Sequence, residues 1–195
     1  MRFTEAPLKD AGIVRAMVGR ASTAAAVMLA CVASTSAAAP IPTPIGVGRA
    51  FHPTAVSAAV AAGRPVGPLH CDSIGRLQRA HLEIFARGRA LIIPRGIGIS
   101  RARACTYDVR TTAPTGVVEF DASRRLTLGD FFAVWGRRLA RDRLLSFNGR
   151  VRAYVAASRW RGSVQAIPLT RHAQIVLEVG PYIPPHARFL FGPGR

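Results

Sequence analysis

Two cysteines, Cys71 and Cys105, bracket the stretch that most limits what this chain can fold into, His81 to Ile99 (HLEIFARGRALIIPRGIGI). Leu82 and Ile84 alternate with Glu83 and Phe85, a tight turn follows at Arg87-Gly88-Arg89, and the apolar run Ala90 to Ile93 closes on Pro94. Alternation, turn residues and a second apolar run predict a β-hairpin. Gly96-Ile97-Gly98 then returns the chain towards Cys105, and the remaining segments are read as what packs on this hairpin.

Whether the two cysteines pair depends on the compartment, and the N-terminus speaks to that. Residues Ala21 to Ala39 carry no charge, follow Arg15 and Arg20, and end in Ser36-Ala37-Ala38-Ala39 before Pro40. A basic start, an apolar centre and a small-residue end are the parts of a secretory signal peptide, which predicts cleavage near Ala39 and a periplasmic or secreted product. Met28-Leu29-Ala30 before Cys31 resembles a lipobox, the alternative in which Cys31 carries lipid and ties the mature chain to a membrane. A retained N-terminal anchor is the third possibility. Export makes a structural disulfide the expectation for Cys71 and Cys105, because neither the C-x-x-C spacing nor that of a cysteine with its catalytic base is present.

The rest divides at composition changes. Residues 40–69 hold six prolines among alanines and glycines, the composition of an extended linker, with a short helix conceivable over Thr54 to Ala62. Residues 70–195 are then a single domain. Within it, Cys105 to Thr111 and Gly116 to Asp121 predict a second hairpin around Ala113-Pro114-Thr115. Thr127 with Asp130 three residues on reads as a capping box, and Leu128, Phe131, Phe132 and Trp135 recur at helical spacing up to Gly136. This predicts one helix, from about Leu128 to Trp135, with its aromatic residues in the core. Asn148-Gly149 predicts a third hairpin within Leu144 to Ala157, and Ile175, Leu177 and Val179 mark a last strand. The Pro-rich end from Pro181 is expected to lie over the surface. The fold class is therefore α+β, mainly β: a small antiparallel or mixed sheet of about six strands with one short helix.

From His70 to Gly194 the chain resembles a group of exported bacterial proteins of unassigned function. The residues that carry the resemblance are Ile93-Pro94, Ile97-Gly98-Ile99, Cys105, Tyr107, Thr127-Leu128-Gly129, Phe131-Phe132, Trp135-Gly136, Ile167-Pro168-Leu169, His172, Ile175, Leu177 and Val179-Gly180. That group carries H-x-H-x-H-L and L-H-T-H-D histidine clusters, in which alternating imidazoles on neighbouring strands suit a transition metal. Here the first cluster reads Leu77, Arg79 and His81, the second reads Val109, Arg110, Thr111, Thr112 and Ala113, and Glu119 stands at a later histidine position. The resemblance thus implies the scaffold without most of the ligands.

Charge gives the remaining functional signal. The chain has 27 basic residues, all but Lys9 arginine, against 10 acidic ones, and residues 40–195 keep 23 against 8. Such a surplus points to an anionic neighbour, although the arginines are spread from Arg49 to Arg195 with no basic run. No G-x-S-x-G, H-E-x-x-H or P-loop pattern occurs, so no catalytic, cofactor-binding or metal residue is assigned. The leading reading is a non-enzymatic exported domain with a structural or binding role at the cell envelope, partnered by an anionic envelope component. The alternatives are a Cu- or Zn-binding envelope protein with a reduced site among His70, His81, Asp108 and Glu119, and a non-exported nucleic-acid-binding protein.

Overall fold

The structure, a computed structural model, describes residues 63–192 apart from 73. The expected leader, Cys31 and the helix considered over Thr54 to Ala62 lie outside the described residues. In chain order the elements are β1 (Cys71–Asp72), β2 (Leu77–Ala86), β3 (Arg89–Leu91), β4 (Ile99–Ser100), β5 (Cys105–Tyr107), β6 (Val109–Arg110) and β7 (Val117–Asp121). Helix α1 (Leu128–Val134) follows, then β8 (Leu139–Ala140), β9 (Arg143–Leu144), β10 (Phe147–Asn148), β11 (Val151–Val155), β12 (Ser158–Arg159), a 3-10 turn (Val164–Ala166) and β13 (Gln174–Val179). The described residues are mainly β with one α-helix, as the hydrophobic periodicity predicts. The strand number exceeds six because nine strands are only two or three residues long.

One seven-stranded sheet organises the domain, in the order β12-β11-β13-β2-β7-β6, with β3 also on β2. Strand β2 is its axis. On one side its first half pairs antiparallel with β7, Arg79 opposite Glu119 and His81 opposite Val117, and its last three residues pair with β3. On the other side residues 81–86 run parallel to 174–179 of β13. Two three-stranded sheets, β1-β5-β4 and β10-β9-β8, complete the set.

The period-two pattern sorts β2 into two faces. Ala80, Leu82, Ile84 and Ala86 join the main core with Phe131, Phe132 and Trp135 of α1 and with Ile175, Leu177 and Val179 of β13. Each large side chain so buried contributes roughly 1.5 to 3 kcal/mol. The opposite face carries His81, Glu83 and Phe85, and it too is buried, since Phe85 packs with Tyr154 and Val176. The segment after β13, residues 181–192, crosses this second face as a strap without regular structure, the surface course its prolines predict.

Local chemistry sets the turns and the helix. Arg87 (φ 50°) and Gly88 (φ 79°) make the opening hairpin turn, with Arg89 already in β3. Gly98 (φ 72°) comes so close to the Val109 carbonyl that a Cβ would stand 2.1 Å from its oxygen. Helix α1 starts on the predicted capping box, in which the Thr127 hydroxyl accepts from Asp130 N–H and the Asp130 carboxylate accepts from Thr127 N–H at 2.8 Å. Gly136 (φ 64°) follows its C-terminal end.

One expectation is corrected. Asn148-Gly149 is not a hairpin turn: β10 pairs back with β9, while β11 pairs with β12 and β13. Gly149 has φ 136°, far from what a two-residue hairpin turn requires, and the β11–β12 reversal is made instead by Ala156 (φ 47°) and Ala157 (φ 64°). Just upstream of His70, Leu69 is buried and the Tyr107 hydroxyl donates to the Arg64 carbonyl.

Candidate functional site

The cysteines form the expected disulfide, Cys71–Cys105, with Cα atoms 5.4 Å apart. It clamps β1 to β5, where Cys71 stands opposite Tyr107.

His81 is fully buried at the centre of the sheet, with Nδ1 2.6 Å from Gln174 Oε1 and Nε2 3.0 Å from the Thr115 carbonyl. Burial lowers its pKa to about 4, with the Gln174 and Thr115 contacts opposing. The ring is therefore neutral at physiological pH and donates one hydrogen bond. Nδ1–H donates to Gln174 Oε1, and the same amide supports the neighbouring Glu83 carboxylate. Beside it, Glu83 places its carboxylate 2.8 and 2.9 Å from His186 Nδ1 of the strap. Burial raises the Glu83 pKa, and His186 opposes the rise.

The other candidates have separate partners. Asp108 pairs with Arg124 at 2.7 Å, and burial raises its pKa against the pull of that guanidinium. Glu119 lies between Arg79 and Arg110, each at 3.0 Å. His70 is exposed. His70, His81, Asp108 and Glu119 are thus not gathered into one site, and among the described residues no group of three or more His, Cys, Asp or Glu is placed to hold a metal. Positions 79, 110 and 119, singled out in the sequence for lacking the histidines of the resembled group, are direct neighbours across β2, β7 and β6. Here they form an Arg–Glu–Arg ion-pair set whose charges largely satisfy one another. A cavity of about 420 Å³ adjoins it, walled by Phe189 and Phe191 of the strap.

The feature with unspent charge lies elsewhere. A groove of about 720 Å³ is lined by Arg141 from the β8–β9 turn, Arg150 just before β11, Arg159 at the end of β12, and Arg161 in the next loop. All four are exposed. Among the described residues no carboxylate lies within ion-pair distance of any of them. The floor is fixed by Val151 and Ala153 of the core, by Trp160 Nε1 donating to the Ser163 carbonyl at 2.9 Å, and by Gln165 Nε2 donating to the Leu139 carbonyl at 2.7 Å. Guanidinium groups offer paired N–H donors at a spacing that fits carboxylate, phosphate or sulfate oxygens. Four of them on a concave, carboxylate-free surface focus a positive potential. The chemistry available here is attraction and orientation of an anion.

Sequence reasoning missed this groove because its arginines never adjoin in the chain. The signal present was positional: Arg141, Arg150 and Arg159 recur at the ends of successive β segments, where reversals bring them to one edge. Compared with known families, with curated proteins and with solved structures, the chain gives no match.

Proposed function

We propose that this chain is a non-enzymatic, exported binding domain that recognises an anionic component of the cell envelope through the groove of Arg141, Arg150, Arg159 and Arg161. The groove carries the reading: four arginines line one concavity, and among the described residues no carboxylate lies within ion-pair distance of them. The signal-like N-terminus and the Cys71–Cys105 bridge support an oxidising, extracytoplasmic setting. In the Arg–Glu–Arg set on β2, β7 and β6 both arginines already pair with Glu119, which leaves the groove as the stronger attractor.

Binding of the mature protein to lipopolysaccharide, titrated against sodium chloride, tests this directly. The expected result is affinity that falls as salt rises and is lost in the double variant Arg150→Ser, Arg161→Ser with an unchanged melting curve. Salt-independent binding, or binding untouched by the double variant, overturns it. Fractionation of the producing cell checks the setting, since recovery of the full-length chain in the cytoplasm removes the envelope part of the reading.

A further inference from the structure

The arginine groove does not end at Arg150. That side chain also lines a second concavity of about 250 Å³, which holds Arg87, Phe147 and Arg152. Arg152 is committed there, pairing with Glu178 at 3.1 Å and donating to the Gly180 carbonyl at 2.6 Å. Arg87 is not: it is exposed, lies 5.7 Å over the Phe147 ring, and among the described residues has no carboxylate within ion-pair distance. The positive surface therefore continues from the first concavity through Arg150 to Arg87.

Resting on the anion-binding reading above, we infer that the two concavities form one track for an extended acidic glycan, a chain whose carboxylates or sulfates recur along its length. Extent is the first reason: a lone phosphate or carboxylate engages one or two guanidinium groups, whereas uncompensated arginines occupy both concavities. The aromatic rings supply the second. Binding single-stranded nucleic acid calls for open ring faces on which bases stack. Here Gly162 packs on the Trp160 indole, whose Nε1 would be 3.2 Å from an added Cβ, and Arg87 covers Phe147. Cations without stacking platforms suit a sugar chain with peripheral charges. Each exposed contact is weak in water, so affinity must accumulate along the ligand.

The test is calorimetric titration of the mature protein, at one low ionic strength, with galacturonic acid as monomer, tetramer and decamer. The expected result is a gain of roughly tenfold or more from tetramer to decamer, beyond the statistical effect of repeated sites. Arg87→Asn, which keeps a residue tolerant of the positive φ at that turn, should lower decamer affinity and leave the tetramer unchanged. Arg150→Ser should weaken both. Equal affinity per charge for all lengths, or an Arg87→Asn variant identical to the parent on the decamer, overturns the track while leaving anion binding in place. Tighter binding of an oligothymidylate of equal charge overturns the glycan assignment. Absence of binding to any anion overturns the underlying reading as well.

Discussion

Phe189 lies flat against His81, ring centroids 3.7 Å apart and planes 11° from parallel. The strap thereby seals a neutral imidazole into the centre of the sheet, and Phe191 repeats the arrangement on His172 at 4.5 Å. Sealing has a thermodynamic consequence, because the folded state resists a proton that the unfolded chain accepts.

Acidification should therefore destabilise the domain in a window set by His81. With its folded pKa near 4 and an ordinary value of 6.5, its contribution is complete above 6.5 and is lost as pH falls towards 4. The loss amounts to up to about 3 kcal/mol. Urea unfolding across this window should show the decline in the parent and its absence in His81→Phe. That variant should also lose about 1 to 3 kcal/mol at neutral pH, because the buried hydrogen bonds of the imidazole to Gln174 and to the Thr115 carbonyl are lost. Asp121, held near 2 by the Ser123 hydroxyl and neighbouring N–H donors, acts lower: its contribution is present above 3.8 and lost below.

Glu83 should work in the opposite direction. Its raised folded pKa means that its contribution is full below 4.5 and is lost as pH rises through the folded value. Glu83→Gln keeps a polar partner for His186 and removes the buried charge. The variant should gain stability relative to the parent as pH rises, read as a widening difference in urea midpoints. A constant difference would mean that Glu83 does not titrate in that range.

Removing the carboxylate from the Arg–Glu–Arg set should cost more than removing either arginine. Glu119→Ala leaves the Arg79 and Arg110 side chains, 21% and 24% exposed, facing each other without a counter-charge. The expected cost is about 1 to 3 kcal/mol, against less than about 1 for Arg79→Ala, both by urea unfolding. Lipopolysaccharide binding by Glu119→Ala should not fall below that of the parent, since the groove is separate and the variant adds two arginines without a counter-charge.

Opening the Cys71–Cys105 bridge, which spans 34 residues, should cost roughly 3 to 4 kcal/mol on the chain-entropy account. Comparing the melting temperature of the parent with that of Cys71→Ser, Cys105→Ser under oxidising conditions measures it. Under reducing conditions the two proteins should melt together.

What could be read from the sequence was what short segments decide for themselves. Thr127 and Asp130 cap α1 through bonds three residues apart, and the Arg87-Gly88 turn lies between its own two strands. Asn148-Gly149 carried an equally strong local signal, yet five residues of β11 pair with β13, and that longer ladder, not the dipeptide, decides where the chain reverses. Ala156-Ala157 turns without any composition to announce it. The arginine groove was illegible for the same reason, because Arg141, Arg150, Arg159 and Arg161 meet only after β11 has found its partners. His81 was singled out from the sequence as a possible ligand remnant, but its burial comes from a strap more than a hundred residues away, as does the partner of Glu83, His186.

The parallel ladder between β2 and β13 also dictates an order of assembly. His81 and Gln174 face each other across 93 positions of the chain, so in a protein made from its N-terminus one long edge of β2 stays open until β13, the last of the described strands, has appeared. Both cysteines lie upstream of that event, and oxidation can staple the first two hairpins while the edge still waits. During that interval the unpaired edge invites association with other chains. Closure over so long a loop is intrinsically slow, which makes the arrival of residues 174–179 the step on which successful folding turns.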